Sequence, residues 1–215
     1  MNITILTDRE SWINNRLDDF KDRLRINNYN FQNIHNLNDL KKGNICFILS
    51  FSKILKKEQL EFHQHNIVVH ESDLPKGKGW SPLTWQILEG KSEIPICLFE
   101  ADAKGVDSGI IYYKDFIHLE GHELVEEIRD LQAQKTFELC LKFLNEFPAI
   151  LKKAKQQVGI ESFFPKRTPV NSKVEITKTL EELFLNFRVA DNERYPVFFE
   201  KNGINYLLKI YKMNK

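Results

Sequence analysis

One histidine and one aspartate are the residues whose types could do chemistry together. His70 directly follows the apolar run 67–69, and Asp107 lies in the loop ADAKGVDSG between two further apolar runs. An imidazole whose charge is tuned by a carboxylate is the usual general acid or base near neutral pH. Polar loop residues also often serve to satisfy backbone groups, so the pair by itself leaves a structural role open. The pair nonetheless predicts proton-transfer chemistry.

Two other patterns give weaker signals. The glycines of PKGKGW, Gly77 and Gly79, would let a ligand approach the backbone, but Gly-x-Gly alone is not a dinucleotide fingerprint. His63 and His65 lie near His70, yet a helix end, a turn and a strand end rarely direct their side chains to one point. The sequence therefore predicts no metal site.

Short apolar runs at regular intervals predict the strands that must position these residues. The first four runs are 2–6, 31–34, 45–49 and 67–69. Helical stretches separate them, and this alternation predicts an α/β fold with a Rossmann-like, mostly parallel sheet covered by helices on both faces. Ligands bind at the carboxyl ends of the strands in such sheets, which is where His70 follows its strand.

The helices are predicted from start signals and apolar stripes. Thr7 and Glu10 have the spacing of a capping box, which predicts a helix that begins there. Its apolar stripe is Ile13, Leu17, Phe20 and Leu24. Further helices are predicted at 56–62, 82–88, 121–147 and 180–189, and further strands at 95–100, 110–113, 197–199 and 205–211. The acidic residues near the start of helix 121–147, Glu123 among them, are expected on its solvated face.

The chain is expected to divide into a catalytic domain, residues 1–160, and a small α+β extension packed on it, residues 161–215. A net charge of +1 gives no broad reason to bind nucleic acid, and no apolar run approaches the ~20 residues that span a membrane. Three scattered cysteines and a start without the features of a secretion signal favour the cytoplasm.

Several segments resemble the folate-dependent formyltransferases, in particular the methionyl-tRNA and nucleotide-sugar N-formyltransferase branch. HESDLPKGKGWSP is similar to that family's histidine, Ser-Leu-Leu-Pro type turn, Arg-Gly pair and proline. FSKIL, at 51–55, is similar to the loop that wraps the pterin, and VDSG, at 106–109, to Leu-Asp-Thr-Gly. PKRTPVNSKVEI and NFRVADNERYPVFF resemble later segments of the same branch.

The resemblance implies transfer of a formyl group from 10-formyltetrahydrofolate to an amine, without a metal. It implies that His70 moves a proton and helps to hold the oxyanion, while Asp107 orients or charges the imidazole. The cofactor-binding residues that it implies are Phe51, Lys53, Leu55, Asp102 and Val106, and the substrate-binding residues are Lys76, Lys78 and Trp80.

The sequence departs from the family at Val68. The family reads Asn-x-His, and its asparagine donates to the oxyanion, which valine cannot do. Losing one such donor typically costs on the order of 100- to 1000-fold in rate. Ser72, Lys53 or a backbone amide could supply a substitute donor, or a shift in alignment could place Asn66 there.

The expected acceptor is a small amine, most simply a nucleotide-linked amino sugar of surface-polysaccharide biosynthesis. Lys78-Gly79 replaces Arg-Gly, and the C-terminal part is shorter than the extra barrel of the tRNA enzymes, which disfavours transfer RNA. Alternatives are a glycinamide-ribonucleotide-type formyltransferase, a hydrolase that deformylates the cofactor and a non-catalytic folate-binding relative. Apolar PVFF and YLLKIY near the end favour a possible homodimer.

Overall fold

A computed structural model describes residues 1–213 of the chain. Its strands are β1 Asn2–Leu6, β2 Asn30–Ile34, β3 Gly43–Ile48, β4 His63–His70, β5 Lys78–Gly79, β6 Glu93–Glu100, β7 Ile111–His118, β8 Phe163–Phe164, β9 Val197–Lys201 and β10 Ile204–Leu208. Its α-helices are α1 Leu17–Ile26, α2 Lys57–Leu60, α3 Pro82–Leu88, α4 Val125–Glu146 and α5 Leu180–Arg188. Short 3₁₀ helices span Trp12–Arg16, Leu37–Asp39, Ala149–Lys153 and Pro169–Ser172.

The central sheet has the strand order β2-β1-β3-β4-β6-β7 within the described residues. The strands from β2 to β4 run parallel, whereas β6 is antiparallel to β4 and β7 is antiparallel to β6. The predicted mostly parallel α/β sheet is confirmed, and the antiparallel edge is the difference. The chain passes from β6 to β7 through a loop without a helix, so the two strands form a hairpin rather than a parallel crossover.

Helices cover both faces of the sheet, as predicted. On one face, α1, the 3₁₀ helix before it and α4 pack on the sheet. The buried stripe of Ile13, Leu17, Phe20 and Leu24 belongs to the first two and joins the same core cluster as Phe47 of β3. On the other face, Leu6 and Ile48 pack with Leu55, and Leu37 and Leu60 of the short helices lie against them. This arrangement leaves the carboxyl ends of β1, β3 and β4 open between the two layers.

The first helix begins later than the Thr7 to Glu10 spacing predicts. Ser11 caps the 3₁₀ helix by accepting a hydrogen bond from the Ile13 N–H, and α1 follows it. The Thr7 hydroxyl instead donates to Asn14 Oδ1 at 2.8 Å, and Asp8 Oδ2 accepts from the Ser52 N–H at 2.9 Å. The predicted cap is therefore wrong, because the loop after β1 makes its hydrogen bonds across the sheet edge.

Helix α4 begins at Val125 rather than near 121, and Glu123 is not on a solvated face. The Glu123 carboxylate accepts from the Gly121 N–H at 3.0 Å and pairs with Arg188 of α5 at 2.9 Å. The side chains of Glu123 and Arg188 are 8% and 3% exposed. Their pairing in the interior explains why an acidic residue beside a charged helix face is buried.

The C-terminal part carries α5 and the hairpin of β9 and β10, which form their own apolar cluster around Leu183, Phe187 and Val197. Strand β8 pairs with β5, so the segment after α4 returns to the sheet edge that carries His70. The division at residue 160 stays a prediction. None of the helices in the described part of the chain has the length and apolar character that a bilayer crossing requires.

Candidate active site

A cavity of about 360 Å³ opens at the carboxyl ends of β3 and β4. The α4 side of this cavity is formed by Trp12, Ile13, Glu71, Gln132 and Thr136. The loop side is formed by residues of 50–55 and 101–108, together with Asp8, which accepts from the Ser52 N–H. His70, the last residue of β4, lies between the two sides and is buried. The volume lies in the range of small-molecule sites.

The hydrogen bond of His70 fixes how its ring can act. Nε2 lies 2.9 Å from the carbonyl oxygen of Gly77, which accepts only, so Nε2 carries the hydrogen and Nδ1 carries the lone pair. Nδ1 has no hydrogen-bond partner among the described residues. Asp107 Oδ2 lies 3.6 Å from Nε2, close enough to stabilise an imidazolium electrostatically. The structure therefore brings His70 and Asp107 together with one ring nitrogen free to exchange a proton.

Asp107 is held from several directions. Its backbone has the left-handed φ of 49°, and its Oδ2 accepts from the Gly79 N–H at 2.9 Å. The side chain of Gln157 donates from Nε2 to the carbonyl oxygens of Asp107 and Gly109, each at 2.8 Å. A Cβ on Gly109 would lie 1.6 Å from the carbonyl oxygen of Glu100, so this turn requires glycine. These contacts give the carboxylate one fixed position beside His70.

The structure brings all five residues of the implied cofactor site to the loop side of the cavity. They come from two loops, one after β3 and one after β6, and the first lies above the apolar cluster of Leu6 and Ile48. Ser108 Oγ donates to Asp102 Oδ1 at 2.9 Å, which closes the second loop. The five are Phe51, Lys53, Leu55, Asp102 and Val106.

The lysines predicted to bind substrate do not line this cavity, whereas Trp80 does. Lys78 is buried, and its ammonium pairs with Glu161 and lies 5.9 Å from the Phe163 ring centre. Lys76 is exposed outside the cavity. A substrate-binding role for Lys78 stays a prediction, and the pairing of β5 with β8 places an acid from the C-terminal part beside its ammonium.

Sequence reasoning missed the polar residues of the α4 side. Glu71 Oε1 accepts from Gln132 Nε2 at 2.8 Å, and the Glu71 carbonyl accepts from Gln86 Nε2 at 2.6 Å. Burial raises the pKa of the Glu71 carboxyl above its usual value, and His70 and the hydrogen bond from Gln132 oppose this shift only in part. Glu71 could have been predicted from its position next to His70 in the sequence. Gln132 could not, because it lies among charged residues of a long helix and no pattern distinguishes it.

Val68 lines the cavity, and the structure narrows the choice of a substitute donor. Strand β4 pairs residue by residue with β3 around Val68, without a bulge, and the Asn66 amide donates to the Leu60 carbonyl. The shift that would replace Val68 by Asn66 is therefore ruled out. Ser72 is buried and does not line the cavity. Lys53 does line it, and its ammonium makes no ion pair among the described residues.

The three cysteines and His63 form no second candidate site among the described residues. Cys46, Cys97 and Cys140 are buried, and burial raises the pKa of Cys97 to about 11 and that of Cys46 to about 12. In residues 1–213, no three His, Cys, Asp or Glu side chains form a group that could hold a metal ion. His63 Nε2 lies 2.8 Å from Thr4 Oγ1, away from the cavity.

The sequence matches the family model described as formyl transferase over residues 13–142. The methionyl-tRNA formyltransferase of Rickettsia felis is 32% identical over 110 residues, which are 51% of this chain and 36% of that protein. The match to the Rickettsia prowazekii enzyme covers 66% of this chain and 48% of that protein. The chain thus spans about half the length, or less, of the curated relatives that it matches.

Solved structures show the same fold. The methionyl-tRNA formyltransferase from Clostridium thermocellum superposes with a TM-score of 0.83 at 26% identity, over 100% of this chain and 94% of that one. HypX from Aquifex aeolicus in complex with tetrahydrofolic acid gives a TM-score of 0.79 at 16% identity, over 97% of this chain and 37% of that one. A sugar N-formyltransferase from Shewanella sp. gives a TM-score of 0.66 at 13% identity, over 100% and 99%.

Proposed function

Because this chain belongs to the formyl transferase family, we propose that it transfers a formyl group from 10-formyltetrahydrofolate to the primary amine of a small substrate. One observation carries the proposal: His70 and Asp107 lie 3.6 Å apart in a cavity whose loop side is formed by the two loops that the family resemblance assigns to folate. A non-catalytic folate-binding relative would share the loops but would not need the proton-transfer pair.

The loop side fits a folate. Ile48, Leu49, Phe51, Ile54 and Leu55 offer apolar surface to a flat ring. Flat heterocycles also need polar partners at their edges, which the backbone groups of the two loops and the Asp102 carboxylate can provide. When bound, 10-formyltetrahydrofolate supplies a formyl group that an amine can attack.

The residues of this chain then have distinct tasks. His70 Nδ1 accepts the proton that the attacking amine must lose, because Nε2 is committed to the Gly77 carbonyl. Asp107 stabilises the positive charge that His70 acquires. In the protonated ring, Nδ1–H is a donor that can hold a developing negative oxygen. Lys53 is our candidate for the donor that valine at position 68 lacks.

For the acceptor, we favour a nucleotide-linked amino sugar of surface-polysaccharide biosynthesis. Support comes from a net charge of +1, which offers no broad basic surface to transfer RNA. The resemblance of PKRTP and YPVFF is to the methionyl-tRNA and nucleotide-sugar branch as a whole and separates it from the glycinamide-ribonucleotide type. A second candidate is methionyl-tRNA, which the similarity to the Rickettsia felis and Clostridium thermocellum enzymes favours. Either reaction would take place in the cytoplasm.

The test of the function is tetrahydrofolate release from 10-formyltetrahydrofolate by the purified protein. The acceptor panel contains nucleotide-linked amino sugars, glycinamide ribonucleotide and methionyl-tRNA, with a sample lacking amine. We expect release that depends on one amine class. Release without amine would indicate a hydrolase, and cofactor binding without release from any mixture would indicate a binding protein.

We predict that His70→Ala and Asp107→Ala each lower amine-dependent release by roughly 100-fold or more, because each removes part of the proton-transfer pair. Binding of 5-formyltetrahydrofolate, measured by calorimetry, should largely survive. The matched controls are His118→Ala and Asp18→Ala, whose side chains are 69% and 92% exposed. Near-normal turnover by His70→Ala would reject the mechanism.

We also propose a homodimer formed through the C-terminal hairpin. Ile204, Tyr206 and Leu207 of β10 expose 59%, 45% and 65% of their surface, and β10 is an edge strand of the two-stranded sheet. Sedimentation at twice the chain mass, lost on changing Leu207 to Lys, is the expected result. Sedimentation of the wild type at the monomer mass at micromolar concentration would reject the dimer.

A further inference from the structure

Glu71 is a carboxyl inside the cavity that the mechanism above does not use. It is half-buried beside His70, and the hydrogen bond from Gln132 of α4 fixes its Oε1. Besides Gln132, only the backbone N–H of Glu71 itself lies near the carboxyl as a donor among the described residues. The backbone of Glu71 is fixed as well, because Gln86 of α3 donates to its carbonyl. The carboxyl is therefore held in place, and no lysine or arginine of the described residues pairs with it.

The charges around Glu71 do not neutralise it. Asp8, on the loop side, adds a second negative charge to the cavity, and none of the described residues of the α4 side is a lysine, an arginine or a histidine. No ion pair joins Glu71 to a basic side chain in the described part of the chain; His70 is its sequence neighbour. A half-buried carboxylate without a fixed cation is costly, and that cost falls when a cationic ligand arrives.

A primary amine is such a ligand. Amines of this kind are mostly protonated near pH 7, so an acceptor reaches the cavity as an ammonium ion. The loop side is assigned to folate, which leaves the α4 side for the acceptor. An ammonium on this side would meet the Glu71 carboxyl within one residue of His70. It releases one proton to solvent to become the free amine, and His70 then accepts the second proton, which the nitrogen loses as it attacks.

We propose that Glu71 docks the acceptor as its ammonium form and thereby selects amines that carry no anionic group next to the nitrogen. The proposal rests on the proposed function. Phosphate or carboxylate groups of the acceptor then lie away from Glu71 and Asp8, because like charges at close range repel. An α-amino acid with a free carboxylate would be rejected, whereas an amino sugar or an esterified amino acid would be accepted.

The experiment measures binding of two sugars that differ in one charge. Glucosamine is an ammonium ion, and N-acetylglucosamine is its neutral counterpart. Trp12 and Trp80 line the cavity, so their fluorescence reports binding to the purified protein saturated with 5-formyltetrahydrofolate. Wild type should bind glucosamine more tightly than N-acetylglucosamine. Glu71→Gln should lower the affinity for glucosamine by roughly 10-fold and leave the affinity for N-acetylglucosamine unchanged.

Two variants separate charge from structure. Glu71→Asp keeps the charge and should keep the preference for glucosamine, so it tests the proposal even if the glutamine variant folds poorly. Glu89→Gln removes the same charge at the end of α3, where the side chain is 49% exposed, and should change neither affinity. Equal binding of the two sugars by wild type, or undiminished glucosamine binding by Glu71→Gln, would overturn the proposal.

The outcome is distinguishable from that of the formyl-transfer assay. Glucosamine binding that depends on Glu71, found together with no tetrahydrofolate release from any mixture, would keep the docking site and reject the transfer reaction. Amine-dependent release by Glu71→Gln with an unchanged KM for the amine would reject the docking site and keep the transfer reaction.

Discussion

At His70, the hydrogen bond to the Gly77 carbonyl determines which ring nitrogen can take part in proton transfer. Asp107 reinforces that choice by standing on the Nε2 side of the ring. Val68 lies two residues before His70 on the same face of β4, as strand geometry requires, and also lines the cavity. A donor placed at position 68 would therefore lie beside the group that moves the proton.

We predict that Val68→Asn restores amine-dependent release to a Lys53→Met variant, by up to about 100-fold, because it replaces the donor that Lys53 supplies to the developing oxyanion. Val68→Leu in the same background is the matched control, since leucine has about the size of asparagine but donates no hydrogen bond. Initial rates at saturating 10-formyltetrahydrofolate make the comparison. Full activity of Lys53→Met alone would contradict the role of Lys53 as the substitute donor, and failure of Val68→Asn to restore activity would contradict an oxyanion contact at position 68.

The sequence predicted the location of a residue well where that location depends only on the strand end that the residue follows. His70 and Asp107 follow strand ends, and residues 51–55 follow β3, so strand prediction sufficed to place them. It could not place Lys78, whose ammonium is engaged by Glu161 more than 80 positions later. Glu71 was missed because its hydrogen-bond partner is also distant in the sequence: Gln132 of α4 lies 61 positions later.

Among the elements, the hairpin of β6 and β7 matters most for the site. Its loop carries Asp107 in a left-handed conformation and ends at Gly109, which lies against the carbonyl of Glu100. Predicting the two strands from their apolar runs was straightforward. The antiparallel pairing of β6 with β4 depends on how the chain returns through α3, which local sequence patterns do not encode, and β7 then pairs with β6.

We predict that Gly109→Ala destabilises the protein by roughly 3 kcal/mol or more, because its Cβ would overlap the carbonyl of Glu100 and the hairpin loop would have to move. Formyl transfer should fall as well, since Asp107 is two residues away. Gly105→Ala in the same loop is the control, as its Cβ would approach Ser108 no closer than 3.6 Å. Urea unfolding measures both variants, and equal midpoints would contradict the prediction.

In the whole molecule, the ion pair of Arg188 and Glu123 joins α5 of the C-terminal part to the start of α4. Burial opposes ionisation of Glu123, but backbone N–H groups and Arg188 outweigh it and hold its pKa below the usual value. Further contacts cross the same boundary, from Arg129 to Asp191 and from Lys212 to Glu127. No sequence pattern linked these residues, since their partners lie more than 60 positions apart.

We predict that Arg188→Met lowers the free energy of unfolding by about 3–5 kcal/mol, because it leaves the Glu123 carboxylate buried without its partner. Arg23→Met is the control: its pair with Asp19 is mostly exposed and should be worth about 1 kcal/mol or less. Urea unfolding at neutral pH measures both. Equal losses in the two variants would show that the buried pair does not hold the C-terminal part.

The same pair gives a pH dependence. Because the folded pKa of Glu123 is lowered, its contribution to stability is present above the ordinary value of 4.5 and is lost as the pH falls through the folded value. The urea midpoint of the wild type should therefore drop on acidification below that value. Glu123→Gln should show a smaller drop over the same interval, and parallel curves would assign acid sensitivity to other carboxylates.

The segment that matches the family model does not contain every residue that supports the candidate active site, because Gln157 lies outside it. The match to the family model ends at residue 142, yet the side chain that donates to the carbonyls on both sides of Ser108 comes 15 positions later. A fragment that ends at residue 142 would keep His70 and Asp107. It would lose Gln157, whose hydrogen bonds hold the loop that positions Asp107. Alignment boundaries are thus a poor template for a minimal version of this protein.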